Sequence, residues 1–168
     1  SSDKNLWKGW NAYSGSGEVT AEVIYANYGR KEDFEKLQDM GIDISGKVVI
    51  ARYGGNFRGY KAKFAEAAGA AGLIIYTDPI DSGYFKGLGY PEGPYYSEST
   101  IQRGSLLTED FTGDPLTPYE PALPLDSKIK IERKQPNDAK LHSIPVTPIG
   151  YGAAKEILAQ MKGDVVPE

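Results

Sequence analysis

The arginine in "GGNFRGYKAK" (residues 54–63) has the clearest capacity in this sequence to hold a ligand. Glycines at positions 55 and 59 bracket Arg58, and glycine lets the backbone approach a small molecule closely. A guanidinium offers a rigid fork of donors that matches a carboxylate. A solvated arginine on a turn is the simpler interpretation of these residues alone, and a carboxylate site is the alternative.

The other chemically capable residues argue against catalysis by this chain. It has 168 residues, one histidine (His142) and no cysteine, so it lacks a thiol nucleophile and the several histidines that zinc sites commonly use. His142 is interpreted as an ordinary surface or turn residue. The acid pairs Asp78/Asp81 and Glu109/Asp110 are interpreted as solvated turn formers, which are commoner than acid–base pairs. The segments "GSGEVT" and "GDPLTP" do not complete a phosphate-binding loop.

The composition predicts one globular domain. The chain is 40% hydrophobic and 25% charged, with a net charge of −4 and no basic block, so nucleic-acid binding is not expected. The apolar runs are far shorter than the roughly 20 residues of a membrane span, so no membrane partner is expected. The polar start and the proline-containing end are interpreted as cuts in the linkers of a longer protein.

The elements that would position Arg58 alternate between strands and helices, which predicts an α/β fold. Hydrophobic patterns predict strands within 18–29, 47–54 and 72–78, and helices over 30–41 and 60–72. The run "GLIIY" is apolar at nearly every position, which is typical of a strand buried on both faces of a parallel sheet.

The second half of the chain gives weaker patterns. A long loop is predicted for 78–100, and a closing helix is predicted for 151–163. The alternating segment "SKIKIERK" (127–134) predicts an edge strand, and "SIPVTPIG" predicts an extended segment.

Six ordered blocks resemble one family: "VTAEVIYANYGRKEDFEKL", "GKVVIARYG", "FRGYKAK", "QRGSLL", "GDPLTP" and "SIPVTPIGYGAAKEIL". They are similar to the protease-associated (PA), or apical, domain of the glutamate carboxypeptidase II and transferrin receptor superfamily of zinc-dependent exopeptidases. The resemblance covers 19–163 and leaves 1–18 as a flanking linker segment and 164–168 as a tail. It implies an α/β swivelling domain with a mixed β-sheet or β-sandwich core flanked by helices.

The resemblance implies a non-catalytic lid that shapes the substrate pocket of a carboxypeptidase-like zinc metallopeptidase. In that family the zinc ligands and the catalytic glutamate lie in a separate peptidase domain, so no cofactor is expected in this fragment. The implied partners are the peptidase domain of the same parent chain and a small acidic peptide substrate. The implied parent is an extracellular or periplasmic homodimer.

The resemblance also implies which residues bind the substrate. The Phe-Arg-Gly turn of the carboxypeptidases lines the terminal-residue pocket, and its arginine pairs with the α-carboxylate of a C-terminal glutamate. Phe57, Arg58 and Gly59 match that turn, which receptor apical domains lack. Ser105 stands where the carboxypeptidases have an asparagine that also contacts the substrate carboxylate, and a serine has a shorter reach.

A calcium site and a docking alternative complete the expectations. In the family, the backbone carbonyls at the positions of Thr117 and Glu120 ligate a structural calcium shared with the peptidase domain. Tyr119 replaces a family glycine, but carbonyl ligation does not depend on the side chain. The alternative function is a protein–protein docking module resembling the transferrin receptor apical domain. Its contact would be made by tyrosines of the long loop: Tyr84, Tyr90, Tyr95 and Tyr96.

Overall fold

The computed structural model describes residues 8–163 of the chain, which contain both strands and helices. The strands are β1 (Asn11–Ala12), β2 (Val23–Tyr25), β3 (Val48–Arg52), β4 (Gly72–Tyr76), β5 (Gly104–Ser105), β6 (Gly113–Asp114), β7 (Thr117–Pro118) and β8 (Val146–Ile149). The helices are α1 (Lys31–Asp39), α2 (Arg58–Ala67), α3 (Pro79–Ser82) and α4 (Tyr151–Leu158). Short 3-10 turns lie at Tyr84–Lys86 and Pro136–Asp138.

A four-stranded parallel sheet in the order β2-β3-β4-β8 forms the centre of the fold. Helices α1 and α2 cover one face, where Val49, Ala51, Leu73 and Ile75 are buried. Helix α4 covers the other face, where Ile50 is buried. Because both faces of β3 and β4 are covered, these strands are apolar along most of their length. The predicted α/β fold is therefore confirmed.

Local sequence explains how the two sheet-covering helices dock. Phe34 and Leu37 lie three residues apart on α1 and are both buried, as an amphipathic helix requires. On α2 the buried positions facing the sheet include Ala62 and Ala65, both fully buried. Their small side chains let α2 lie close to the sheet and hold its first residue, Arg58, near the ends of the strands.

Smaller sheets connect the remaining segments. Strand β1 pairs in parallel with β5, and β6 pairs antiparallel with β7. The predicted loop over 78–100 contains α3, whose N-cap is Asp78, and a 3-10 turn. The division into 1–18, 19–163 and 164–168 stays a prediction, and its segments 1–7 and 164–168 lie outside the described residues.

The predicted edge strand over 127–134 is wrong. These residues form no strand, and Ile129 is 68% exposed. Alternation alone does not make a strand, because a strand needs a partner ladder. The segment's backbone is held instead by a hydrogen bond from Lys134 N to Leu116 O at 2.8 Å.

None of the helices in residues 8–163 is long and apolar enough to cross a membrane.

Candidate functional site

Arg58 lies in a cleft of about 380 Å³ at the start of α2. The cleft is lined by the turn before α2, by α3 and by the loop before β5: Tyr53, Gly54, Asn56, Phe57, Arg58, Asp81, Ser82, Tyr96 and Gln102. Phe57 is the extended residue that caps α2, and Arg58 is its first helical residue. The cleft is therefore built from segments that the parallel strands β3 and β4 deliver to one edge of the sheet.

The guanidinium of Arg58 is held by neutral neighbours. Its central carbon lies 5.2 Å from the centre of the Phe57 ring. A Cβ added to Gly104 would fall 1.9 Å from an Arg58 terminal nitrogen, and Gly104 has φ +155°, so only glycine fits there. Among the described residues, no carboxylate forms an ion pair with Arg58, and its Nε is buried without a hydrogen-bond partner.

Gly59 and Ser105 lie behind the cleft rather than in its lining. A Cβ on Gly59 would fall 2.3 Å from Leu106 O, so the first turn of α2 packs directly on the segment after β5. The Ser105 hydroxyl accepts a hydrogen bond from Leu107 N at 3.0 Å and keeps its own proton for donation. The structure thus brings Phe57 and Arg58 together and places Gly59 and Ser105 in the layer that supports them.

Asp78 and Asp81 are not solvated turn formers, so that interpretation is wrong. Arg52 Nη1 lies 3.9 Å from Asp78 Oδ2 and 3.7 Å from Asp81 Oδ2, and the Arg52 guanidinium lies 4.0 Å from the centre of the Tyr28 ring. The Tyr28 hydroxyl donates to Asp81 Oδ1 at 2.7 Å, and this bond raises the pKa of Tyr28. Arg52, at the same edge of the sheet as Arg58, is therefore paired with two carboxylates and an aromatic ring.

Tyrosine and aspartate also pair beneath this network. The Tyr76 hydroxyl donates to Asp78 Oδ2 at 3.1 Å, and burial raises the pKa of Tyr76. Asp78 Oδ1 accepts from Ile80 N at 3.0 Å and caps α3. Burial likewise raises the pKa of Tyr53, which lines the cleft, to about 12. These hydroxyls stay protonated at neutral pH and act as hydrogen-bond donors.

His142 is not an ordinary surface or turn residue; its side chain is 9% exposed. Nδ1 lies 3.2 Å from Glu66 Oε2, and Nε2 lies 3.0 Å from Leu106 O. Glu66 also accepts from Ser143 N at 2.9 Å and from the Ser143 hydroxyl. No local pattern could predict this contact, because 76 residues separate the histidine from its carboxylate partner.

Lys61 is a buried charged residue that sequence reasoning did not single out. It lies on α2 with a relative exposure of 0%, and its Nζ donates to Gly54 O and to Asn56 Oδ1, both at 2.6 Å, and to Tyr28 O. Burial lowers the pKa of Lys61 to about 8. The only sequence signal was a lysine on the apolar side of a small-residue helix.

The carbonyl oxygens of Thr117 and Glu120 both lie close to Gly113. A Cβ on Gly113 would fall 2.6 Å from Thr117 O and 2.9 Å from Glu120 O. Thr117 O accepts from Glu120 N at 3.1 Å, and Thr117 is also paired with Asp114 in the β6–β7 ladder. Backbone carbonyl oxygens are ligands that calcium accepts. Residues 8–163 contain no cluster of three His, Cys, Asp or Glu residues that could hold a metal.

The tyrosines of the long loop differ in their surroundings. Tyr90 is 78% exposed and Tyr96, which lines the cleft, is 39% exposed. The Tyr84 hydroxyl donates to Glu98 Oε1 at 3.0 Å, and the Tyr95 ring packs closely against Gly87. Only part of the predicted docking face is therefore open to a partner.

The parallel sheet with helices on both faces and the cleft at its edge define an α/β module within residues 8–163. Residues 17–108 match the model of the PA domain family, described as "PA domain". The chain belongs to this family. The family and the α/β fold class that were predicted from the sequence are thereby confirmed.

The curated relatives include peptidases and a receptor. A glutamate carboxypeptidase 2 homolog of Caenorhabditis briggsae is 40% identical over 161 residues, which are 94% of this chain and 21% of that protein. The aminopeptidase NAALADL1 of Mus musculus is 36% identical over 166 residues, 97% of this chain and 22% of that protein. Transferrin receptor protein 2 of Mus musculus is 31% identical over 156 residues, which are 93% of this chain and 18% of that protein. The chain spans about a fifth of the length of these relatives.

Proposed function

We propose that this chain is the non-catalytic lid domain of a zinc-dependent, glutamate carboxypeptidase-like peptidase, and that Arg58 binds the C-terminal carboxylate of an acidic peptide. One observation carries the proposal: Arg58 lines a cleft and has no carboxylate partner among the described residues. Arg52, at the same edge of the sheet, has two. An unpaired guanidinium in a cleft is matched to an anionic ligand.

The other site residues have supporting roles in this proposal. The Phe57 ring holds the guanidinium from one side, and Gly59 lets α2 pack closely enough to keep Arg58 at the cleft. Ser105 follows Gly104, which packs against the Arg58 guanidinium, so in this proposal Ser105 supports the arginine from the layer behind the cleft.

The hydrolytic chemistry is assigned to the parent's peptidase domain. Zinc bound there would supply a Lewis acid for peptide hydrolysis, while residues of this chain bind and orient the substrate. The carbonyls of Thr117 and Glu120 would hold a calcium ion shared with that domain. We further propose that the parent is an extracellular or periplasmic homodimer, as the resemblance implies.

The test is release of C-terminal glutamate from a short acidic peptide by the intact parent protein. Arg58→Ala should lower kcat/KM by roughly thirty-fold or more, because losing a charge-assisted carboxylate contact costs on the order of 2–4 kcal/mol. Lys63→Ala is the control, since Lys63 is exposed on the same helix. Arg58→Lys keeps the charge and should recover part of the loss. Equal rates for Arg58→Ala and the control would contradict the proposal.

The docking alternative is favoured by one observation, the exposed aromatic and aliphatic side chains at Phe85, Leu88 and Tyr90, which are 68%, 68% and 78% exposed. Exposed apolar patches commonly mark protein contacts. If this face were the functional one, substitution of Tyr90 would weaken a partner complex and Arg58→Ala would not.

A further inference from the structure

Lys61 is a fully buried cation one helical turn after Arg58, and its acceptors come from two different turns of the chain. Nζ donates to Tyr28 O in one turn and to Gly54 O and Asn56 Oδ1, each at 2.6 Å, in the other. A lysine ammonium has three protons, so each proton has its own acceptor. A charge this deeply buried is tolerated only when it is fully hydrogen-bonded.

We propose that Lys61 is a positioning residue for Arg58. Its ammonium joins the turn at 28–29 to the turn at 54–56, and this junction sets the direction in which Arg58 enters the cleft. The link is short, because the second turn leads directly into Phe57 and Arg58. This inference rests on the proposed function in one respect only, the identity of the ligand that the cleft binds.

Asn56 carries the constraint from Lys61 to the wall of the cleft. Its Oδ1 accepts from Lys61, its Nδ2 donates to Gly29 O at 3.4 Å, and its backbone N donates to Gly54 O at 2.8 Å. Gly54 O therefore accepts from both Asn56 and Lys61. Gly54 and Asn56 also line the cleft, so the groups that bind Lys61 are themselves part of the site.

A purely space-filling role would not require an ammonium at this position. An apolar side chain of similar length would fill the same volume without the desolvation of a charge. Gly29 has φ +61°, and a Cβ there would lie 3.2 Å from Lys61 Cβ, so the first turn is closely packed on the lysine stem. The hydrogen bonds to the two turns are what the ammonium adds.

The protonation state of Lys61 predicts a pH dependence by which the proposal can be tested. Charged and titratable groups surround the amine from α1, α3, β3 and the adjoining turns: Asp33, Asp81, Arg52, Arg30 and Tyr28. Burial, the largest influence, lowers the pKa of Lys61 to about 8. Above that pH the neutral amine has only two protons, so one of the three acceptors loses its donor. The junction should therefore loosen as pH rises through about 8.

Loosening of the junction can be distinguished from unfolding, because the two would change with pH in opposite directions. The folded-state pKa of about 8 lies below the ordinary value of 10.5, so between these values the unfolded chain binds more protons. The contribution of Lys61 to the free energy of unfolding then rises with pH. A change at Arg58 in this range cannot result from loss of the fold through Lys61.

The experiment compares the 168-residue chain with Lys61→Met and with the matched control Lys63→Met, an exposed lysine of the same helix. Carbon-detected NMR would follow Arg58 Cζ and Nε from pH 6 to 9.5 in the unliganded chain. Titration with acetylated Ala-Glu would measure affinity at pH 7. Lys61→Met should move both Arg58 shifts, remove their pH step near 8 and weaken the dipeptide by about tenfold. Lys63→Met should do none of these.

The proposal would be overturned if Lys61→Met left the Arg58 chemical shifts unchanged and those shifts did not depend on pH in the unsubstituted 168-residue chain. If Lys61→Met does not fold, the pH profile of the unsubstituted chain decides alone: a step near 8 supports positioning and a flat line refutes it. If the unsubstituted chain fails to bind the dipeptide while Lys61→Met moves Arg58, the proposed function fails and the positioning role stands.

Discussion

Removing the Glu66 carboxylate should destabilise the fold in a pH-dependent way. Glu66 lies near the end of α2 and accepts from Ser143 N at 2.9 Å and from the Ser143 hydroxyl. Its Oε2 also lies 3.2 Å from His142 Nδ1. These bonds fasten α2 to the segment that leads into β8. Burial would raise the pKa of Glu66, but the bonds from Ser143 and His142 outweigh it and lower the pKa.

The magnitude follows from the bonds lost. A hydrogen bond to a charged group contributes about 1.5–3 kcal/mol when buried, but the Glu66 side chain is 32% exposed, so solvent screening reduces each contribution. We expect Glu66→Ala to lower the free energy of unfolding by about 2 kcal/mol at pH 7. For a chain of this size, that corresponds to a fall in Tm of roughly 4–8 °C.

The pH dependence has a defined sign. A carboxyl with a lowered folded-state pKa stabilises the fold above its unfolded pKa, and this contribution disappears as pH falls through the folded value. The difference between Glu66→Ala and the unsubstituted chain should therefore be full at pH 7 and shrink below pH of about 4.

Urea unfolding at pH 7 and at pH 3 is the assay. Glu35→Ala is the matched control, because Glu35 is an exposed glutamate on a helix, paired only with Lys31 in the described ion pairs, and it gains the same helix propensity on substitution. A loss at pH 7 equal to that of Glu35→Ala, or a loss that persists undiminished at pH 3, would refute the reasoning.

Two further predictions concern the cleft wall and the calcium site. Gly59→Ala should destabilise the chain by about 1–3 kcal/mol, because its Cβ would fall 2.3 Å from Leu106 O; a Tm equal to that of Gly17→Ala, where a Cβ meets nothing within 4 Å, would contradict this. Added calcium should raise the Tm of the intact parent, whereas the 168-residue chain should respond weakly. An equally large shift in both would show that the shell is complete without the peptidase domain.

The regular part of the fold could be predicted because its signals are local. The spacing of Phe34 and Leu37 gave α1, and the apolar run 72–76 gave β4, since a short sequence determines both patterns. The segment 127–134 has an equally regular pattern, but no strand lies beside it. Pairing depends on residues far away in the sequence, so alternation predicted a strand that does not form.

The candidate site was only partly predictable for the same reason. Arg58 could be singled out because its glycine neighbours are adjacent in sequence, although its ligand role stays a prediction. The pairing of Arg52 with Asp78 and Asp81 depends on parallel strands that end at one edge. His142 and Glu66 meet across 76 residues. In each of these cases the chemistry of the residue was visible, and its partner was not.

Helix α2 carries the residues that make most of these contacts. Its first residue enters the cleft, Gly59 packs on Leu106, Lys61 fastens two turns, and Glu66 holds the segment before β8. These contacts are distributed along the ten-residue helix, with Gly59 and Glu66 two turns apart on one face, so moving Arg58 by rotation or translation of α2 would break several of them together. The position of Arg58 is therefore set by the whole helix, and residues that never touch a ligand should control its affinity.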